Sequence, residues 1–564
     1  MCLLLWATAI VLRLAWLQWM DANKYKDLGT KQFLTRMELP GDRGIIYDRR
    51  GALLAGNTLG FNLYQSSTVS DPKGVLARLG ISPVSMGEKK AILLARGLSP
   101  EDAGRLSGVK GVFLRPGSPR FCPLGDAARD VVGKVGYDGV GLSGVEMVLE
   151  DYLAGKPGYE VFLRTADGMR IAVPGTEKKL PEPGWDIYLT LDSDLEDFAY
   201  SAIKQTVEET GAIRGFVIVV NPQTGEILAM SQYPPSERIY ALTDPFEPGS
   251  TLKPFVMAKA LELGLVNLSD SVPIGQDKLR VGKHLIGDVE TFPGGLTWRD
   301  AIVHSSNRSM AFLGLKLGPQ NIYEIIRRFG LFSPTGICLP GEWSRRPDQP
   351  SRWPKIRTAN AGMGQGMMVT GIGMAMAFCA IANRGELLLP KLIKRMVMGE
   401  RVREFPQRTV VRRVISPDVA DTLRELMIGV VEEGTGKKAR IDGLMVAGKT
   451  GTAQKPDTVS GGYSQSRVIA SFAGFFPAYS PEYLIYVVVD EPKTLHYGGD
   501  VAAPCFRKIA LFIINRDYGK PLKKAQVASG SGILSPGFFS RPFLGSTPWL
   551  SLFSGGPELA MGGK

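Results

Sequence analysis

Three short segments recur in a fixed order along this 564-residue chain: Ser250-Thr251-Leu252-Lys253, Ser305-Ser306-Asn307 and Lys449-Thr450-Gly451-Thr452. Pro248-Gly249 is a turn signal, and the apolar run Leu252, Phe255, Val256, Ala258, Ala260, Leu261 reads as a helix ending at Gly264. Ser250 is therefore expected at a helix N-terminus, with Pro254 harmless in the first turn. Lys253, three residues on, projects on the same face. A serine hydroxyl needs a neighbouring base, and a buried lysine can shed its proton near neutrality. The helix N-terminus favours negative charge developing on the serine oxygen. Taken alone, the first segment reads more readily as a capping serine followed by a solvated lysine.

Thr297-Trp298-Arg299-Asp300 has the spacing of a capping box, opening a helix through Ala301, Ile302 and Val303. Ser305 and Asn307 fall at its far end, where a polar turn between helices would also place them. Leu444 to Ala447, continuing through Lys449 to Ala453, reads as a buried strand. Gly448 and Gly451 leave room for a second backbone to approach, as strand addition to a sheet edge requires.

The ordered trio resembles the penicillin-binding protein and serine β-lactamase superfamily. The resemblance implies Ser250 as nucleophile, Lys253 as base and Ser305 as a proton relay between the two lysines. It implies that the Asn307 amide orients base and substrate, and that Lys449, Thr450, Gly451 and Thr452 hold a substrate carboxylate. The backbone N–H groups of Ser250 and Thr452 would form the oxyanion hole. Acyl transfer can run on a nucleophile, a base and such donors alone, so no cofactor is expected. His284, His304 and His496 are too few and dispersed for a metal site, and His304 beside Ser305 does not make a Ser-His-Asp triad. The five cysteines (Cys2, Cys122, Cys338, Cys379, Cys505) are scattered and odd in number, and read as free.

Residues 3 to 19 are mostly apolar, interrupted by Arg13 and Gln18, and no small-x-small cleavage site follows. Residues 1–20 are therefore expected to be an uncleaved transmembrane signal anchor. Lys24, Lys26 and Lys31 follow it with no basic cluster before it, against the positive-inside rule; a missing upstream stretch would reconcile the two. Arg43-Gly44-Ile45-Ile46-Tyr47-Asp48-Arg49-Arg50-Gly51 reads as strand, charged turn and strand. It resembles the opening of the non-catalytic module of class B penicillin-binding proteins. Arg120-Phe121-Cys122-Pro123 approximates that module's Arg-x-Tyr-Pro element, with Cys where Tyr is usual. Gly139 to Glu146 and Leu153 to Gly158 resemble its end. The charges of this region are expected to pair internally, and residues 75 to 130 read as polar helix with breaks.

The expected organisation is a pedestal or dimerisation-type module over 21–185, a transpeptidase domain over 186–518 and a disordered tail over 519–564 rich in Gly, Ser, Pro and Phe. In the second domain a strand at 187–191, a helix at 195–209 and a hairpin (216–220, 227–230) precede the helical part. Strands at 468–476 and 483–489 and a helix at 502–514 follow the third motif. That order implies an α+β fold, helices packed on an antiparallel sheet. Gly364-Gln365-Gly366 with Met368-Val369-Thr370 matches another family segment beside the active site.

The resemblance implies a membrane-anchored peptidoglycan D,D-transpeptidase of the inner membrane, single-pass, with its catalytic domain on the periplasmic side. Its substrates would be peptidoglycan stem peptides, its covalent inhibitors β-lactams, and its partners a SEDS-family glycosyltransferase and division proteins, with no nucleic acid. The formal charge of +12 is compatible with an anionic wall precursor or lipid surface, and equally with a solvated basic surface. Ala241 to Ser250, with Glu before Pro-Gly-Ser, and Tyr497-Gly498-Gly499-Asp500 resemble the septal branch. Elongation- or sporulation-type relatives, a β-lactam-hydrolysing enzyme and a sensor or scaffold are the alternatives.

Overall fold

The computed structural model describes residues 2–25, 34–65, 92–106, 112–117, 119–136, 138–164, 170–172, 177–275, 278–345, 348–457 and 462–518. The expected tail at 519–564 lies outside these residues. The chain forms two compact units. One comprises 1–45, 150–186 and 397–402; the other comprises 46–149, 187–396 and 403–564.

In the first unit Gly158–Arg164 is the central strand. It pairs antiparallel with Leu34–Leu39, from Leu34 opposite Leu163 to Leu39 opposite Gly158, and also with Arg170–Ala172 and Lys178–Lys179. Arg43 pairs with Glu150 at 2.8 Å. The N-terminal helix, Cys2–Trp19, has 18 residues. At 1.5 Å per residue it rises about 27 Å, short of the roughly 30 Å of a bilayer core. Arg13, Gln18 and three tryptophans dilute its apolar character. No helix among the described residues is long and apolar enough to cross a membrane. This overturns the expected transmembrane anchor at 1–20, and with it the expected single-pass placement in the inner membrane.

In the second unit Gly60–Gln65 lies between Ile92–Leu98 and Val112–Gly117, all antiparallel. Leu63, Leu94, Leu98 and Leu106 form a small core behind them. The helical expectation for 75 to 130 therefore fails at 92–98 and 112–117; residues 66–91 lie outside the described set. At 92–98, pairing with Gly60–Gln65 prevails over the local helix preference of three leucines, Ala95 and Arg96. The charges do pair internally: Arg120 Nε meets Glu146 at 2.7 Å, both nearly buried, and its Nη1 donates to Asn57 at 2.9 Å.

The motif-bearing core is made of twelve elements. They are α1 (Ser193–Thr210), β1 (Arg214–Val220), β2 (Ile227–Tyr233), α2 (Lys253–Glu262), α3 (Trp298–Val303), α4 (Asn307–Arg328), α5 (Gly371–Ala382), α6 (Pro417–Glu432), β3 (Ala447–Pro456), β4 (Tyr463–Phe476), β5 (Tyr483–Asp490) and α7 (Gly498–Asp517). The sheet runs β2-β1-β5-β4-β3, antiparallel throughout, with β3 at one edge. Alternate residues face opposite sides. Val217, Val219, Phe472 and Val487 pack under Leu195, Ile203, Phe506, Ile509 and Ile513 of α1 and α7. Phe216 and Tyr486 face the other way, where Phe378 of α5 and Phe246 meet them. Both faces are thus covered by helices, which is why β1 and β5 read as continuous apolar runs. The expected α+β sheet with packed helices is what forms.

Asp48, wholly buried, joins the Ile46–Asn57 segment to α1. It accepts from the Arg50 and Ala52 amides at 2.8 Å and from the Ser193 hydroxyl at 2.9 Å. Arg50 and Arg516 both reach Asp192, at 2.9 and 2.8 Å.

Phe506 is fully buried, with its ring 4.9 Å from that of Phe472 and 6.1 Å from that of Phe476. Phe506→Ala is expected to cost about 3–5 kcal/mol, read as a lower denaturant midpoint for loss of the sheet signal.

Candidate active site

The serine turn precedes α2 as a short 3-10 segment, Gly249–Leu252. Gly249 has φ +54°, and a Cβ there would lie 2.7 Å from the Thr452 carbonyl oxygen. Its amide donates to the Gly364 carbonyl at 3.0 Å, and Phe246 bridges to Val369. Only glycine fits this approach, which seats the turn between β3 and the 364–370 segment. Ser250 is half-buried, and its hydroxyl has no hydrogen-bond partner among the described residues.

Lys253, one residue past the turn, is completely buried. Its Nζ donates to the Ser305 carbonyl at 2.7 Å, the Ser305 hydroxyl at 3.2 Å and Asn307 Oδ1 at 2.8 Å. Burial pushes its pKa down to about 7, against a weaker upward pull from Asp288. Lys449, equally buried on β3, donates to the same Ser305 hydroxyl at 2.9 Å and to the Thr450 carbonyl at 3.0 Å. Burial, followed by the charge of Lys253, holds it well below the ordinary lysine range. One hydroxyl therefore bridges two amines that resist being charged together. Ser305 can donate its proton to whichever amine is neutral and accept from the other.

Ser305 sits at φ +56°, a left-handed conformation uncommon for a residue with a side chain. It follows α3, whose Thr297/Asp300 capping box forms as the spacing predicts. It precedes α4, where Ser306 caps the Ser309 amide. Positive-φ serine at the junction of two capped helices lets both its hydroxyl and its carbonyl face Lys253. His304 lies against the Phe292 ring.

Asp288 is the residue that motif reasoning missed. Its side chain is 4% exposed, and it gathers the start of α4. It accepts from the Asn307 amide at 2.5 Å, the Arg308 amide at 3.0 Å, the Ser306 hydroxyl at 2.9 Å and Arg308 Nε at 2.9 Å. The carboxylate so fixes the helix end from which Asn307 reaches Lys253. It follows a short hairpin, Leu279–Val281 with His284–Ile286, and no local pattern distinguishes it from other loop acids.

On β3 the glycines serve the protein's own packing. A Cβ on Gly448 would meet the Phe472 ring at 2.4 Å, and one on Gly451 would meet the Ser471 hydroxyl at 2.3 Å and Thr251 Cγ2 at 2.8 Å. The room read from sequence as space for an incoming chain is filled by β4 and the serine turn. Thr450 Oγ1 lies 2.6 Å from Thr435 Oγ1, and Thr452 Oγ1 accepts from the Gly498 amide at 3.1 Å. Thr435 is a second neighbour that no motif marked. All eight residues singled out from sequence thus belong to, or adjoin, one constellation formed by the serine turn, the Ser305 junction and β3.

Asp288→Ala would leave the Arg308 guanidinium buried without its carboxylate. A loss of about 3–5 kcal/mol is expected. The double variant with Arg308→Met should recover part of it, a coupling measurable by a double-mutant cycle.

Comparison with known proteins agrees with this geometry. The penicillin-binding protein transpeptidase domain family matches residues 215–511, and the penicillin-binding protein dimerisation domain family matches 38–189. PenA of Neisseria gonorrhoeae, described as a probable peptidoglycan D,D-transpeptidase, is 31% identical over 93% of this chain and 93% of its own length. The peptidoglycan D,D-transpeptidase FtsI of Escherichia coli is 30% identical, covering 90% of this chain and 89% of its own. Penicillin-binding protein 3 of Mycobacterium tuberculosis, solved in complex with aztreonam, superposes with a TM-score of 0.67 at 26% identity over 87% of this chain and all of its own. A dimerisation-domain match ahead of a transpeptidase-domain match that carries all three motifs makes this chain a member of the penicillin-binding protein transpeptidase family, in its class B, division-type branch.

Proposed function

We propose that this chain is a serine D,D-transpeptidase that cross-links peptidoglycan stem peptides, with Ser250 as nucleophile. The observation that carries the reading is the Ser305 hydroxyl held between two buried lysines beside the serine turn. Burial keeps Lys253 near neutrality, so an unprotonated amine is available within the serine's own motif at physiological pH.

Ser250 attacks the carbonyl between two terminal D-alanines, and Lys253 takes the hydroxyl proton. The Ser250 and Thr452 backbone N–H groups receive the charge that develops on the carbonyl oxygen. The last D-alanine departs, its amine protonated through Ser305 and Lys449, and an ester on Ser250 remains. The amine of a neighbouring stem peptide attacks that ester; the cross-link amide forms as the C–O bond to Ser250 breaks, and Lys253 passes the amine's proton to the departing Ser250 oxygen. Thr450, Gly451 and Thr452 hold the donor peptide along the outer edge of β3, with Lys449 and the threonine hydroxyls toward its carboxylate. Asn307 orients Lys253. β-Lactams acylate the same serine.

The names of PenA and FtsI and the aztreonam complex of the mycobacterial protein support this chemistry. The setting is septal wall synthesis during division, with a SEDS-family glycosyltransferase and division proteins as partners. Residues 186–518 act as the transpeptidase domain and 21–185 as the class B module.

A fluorescent penicillin is expected to label the wild type on Ser250, located by mass spectrometry, and to leave Ser250→Ala unlabelled. A label that Ser250→Ala retains, or one shed within seconds, would refute the transpeptidase reading. The labelling rate should also report Lys253. Only the neutral amine is a base, and its pKa is lowered to about 7, so the rate should rise about tenfold per pH unit below 7 and level off above it. Lys253→Arg, which cannot shed its proton, should label at least about a hundredfold more slowly across that range.

A further inference from the structure

Beyond the motif residues, a cavity of about 90 Å³ opens beside the downstream half of β3. Its wall includes Gln454 and Lys455 of β3, Arg214 and Asp490 from the adjoining strand ends, Met368, and Glu247, three residues before Ser250. The cations of this wall are already engaged. Arg214 is paired with Asp244, and its Nε lies 3.0 Å from Asp490. Lys455 lies 3.0 Å from Asp490 and 2.8 Å from Glu491. Glu247 is different. It is 8% exposed and makes no ion pair among the described residues. Its Oε1 accepts from the Tyr463 hydroxyl at 3.3 Å, and the Gly366 amide approaches the carboxylate. Its Oε2 is buried without a hydrogen-bond partner.

A buried carboxylate oxygen with nothing to accept from is costly and calls for a partner, and a donor entering the cavity that Glu247 lines would supply one. The wall carries more carboxylates than cations, which disfavours an anion and favours a cation. Its remaining surface, from Phe216, Phe246, Ile469 and Val488, is apolar and suits a methylene chain. The position sets the rest. A peptide added antiparallel to the edge of β3, with its terminal carboxylate near Thr450 and Thr452, carries its preceding residues toward Ala453–Pro456. On the transpeptidase reading, on which this rests, we infer that the cavity receives a side chain ending in a primary ammonium group, carried by the donor stem peptide upstream of its terminal dipeptide, with Glu247 as the ammonium acceptor. Glu247 is in these terms a specificity residue.

The test uses the purified full chain and two synthetic peptides ending in D-Ala-D-Ala. Both have lysine as the residue before that dipeptide, with its side-chain amine free in one and acetylated in the other. The rate of Ser250 acylation is read for each by mass spectrometry. The free-amine peptide is expected to react about tenfold faster, the worth of one charged hydrogen bond, and the ratio should fall to about one in Glu247→Gln. Replacing lysine by diaminobutyrate, two methylenes shorter, should abolish the advantage in the wild type, a comparison that needs no variant. Equal rates for the free and acetylated peptides in the wild type, or an undiminished ratio in Glu247→Gln, would overturn the assignment. Absence of any penicillin adduct on Ser250 is a separate result and would remove the transpeptidase reading beneath it.

Discussion

Two lysine side chains with no exposed surface share one serine hydroxyl, and the surrounding structure is arranged to hold that contact. Each buried ammonium is penalised by the loss of water, and that of Lys449 is further disfavoured by the charge of Lys253. The contact is satisfied because the hydroxyl can serve as donor to one amine and acceptor to the other. Geometry must then be rigid, since a displaced hydroxyl would leave two buried amines unsatisfied. The left-handed Ser305, the two helix caps around it and the Asp288 carboxylate behind α4 supply that rigidity. Reactivity at the serine turn and stability of the α3–α4 junction are consequently linked.

The sheet contributes differently. Its centre is sealed on both faces by helices, and it presents β3 at its edge next to the serine turn. Close backbone packing sets this proximity: Gly249 lies against the Thr452 carbonyl and Gly451 against Thr251. An edge strand is normally a hazard that invites uncontrolled pairing. Here it is short of open space on its inner side and is bordered by the cavity that Glu247 lines.

The parts legible in the sequence were those whose signal is local. The capping box at Thr297, the hairpin of β1 and β2 and the apolar α7 each announce themselves within a few residues, and each forms. The three motifs were legible because their chemistry demands particular residue types, and the structure draws them together across about 200 residues. Asp288 and Thr435 were not legible: their partners lie on distant segments, and an acid in a loop has no periodicity. The segment at 92–98 was misread because its three leucines, Ala95 and Arg96 favour a helix locally while Gly60–Gln65 claims it as a strand. The N-terminal helix was misread in the opposite sense, its apolar residues weighing more than Arg13, Gln18 and its limited length.

The strand order also governs when this molecule can fold. β1 lies between β2, which follows it immediately, and β5, which pairs with it from Val220 opposite Leu484 to Arg214 opposite Asp490, the last pair 276 residues apart. A ribosome therefore releases more than 260 residues beyond the start of β1 before the central ladder has its second partner, and α7, which follows β5, covers the face beneath it. Through that interval β1 has an apolar edge and an uncovered surface, the condition in which newly made chains aggregate or recruit chaperones. Long-range closure of this kind is slow. Amino-acid changes near the C-terminus, far from the serine turn, can thus determine how much chain ever reaches the folded state.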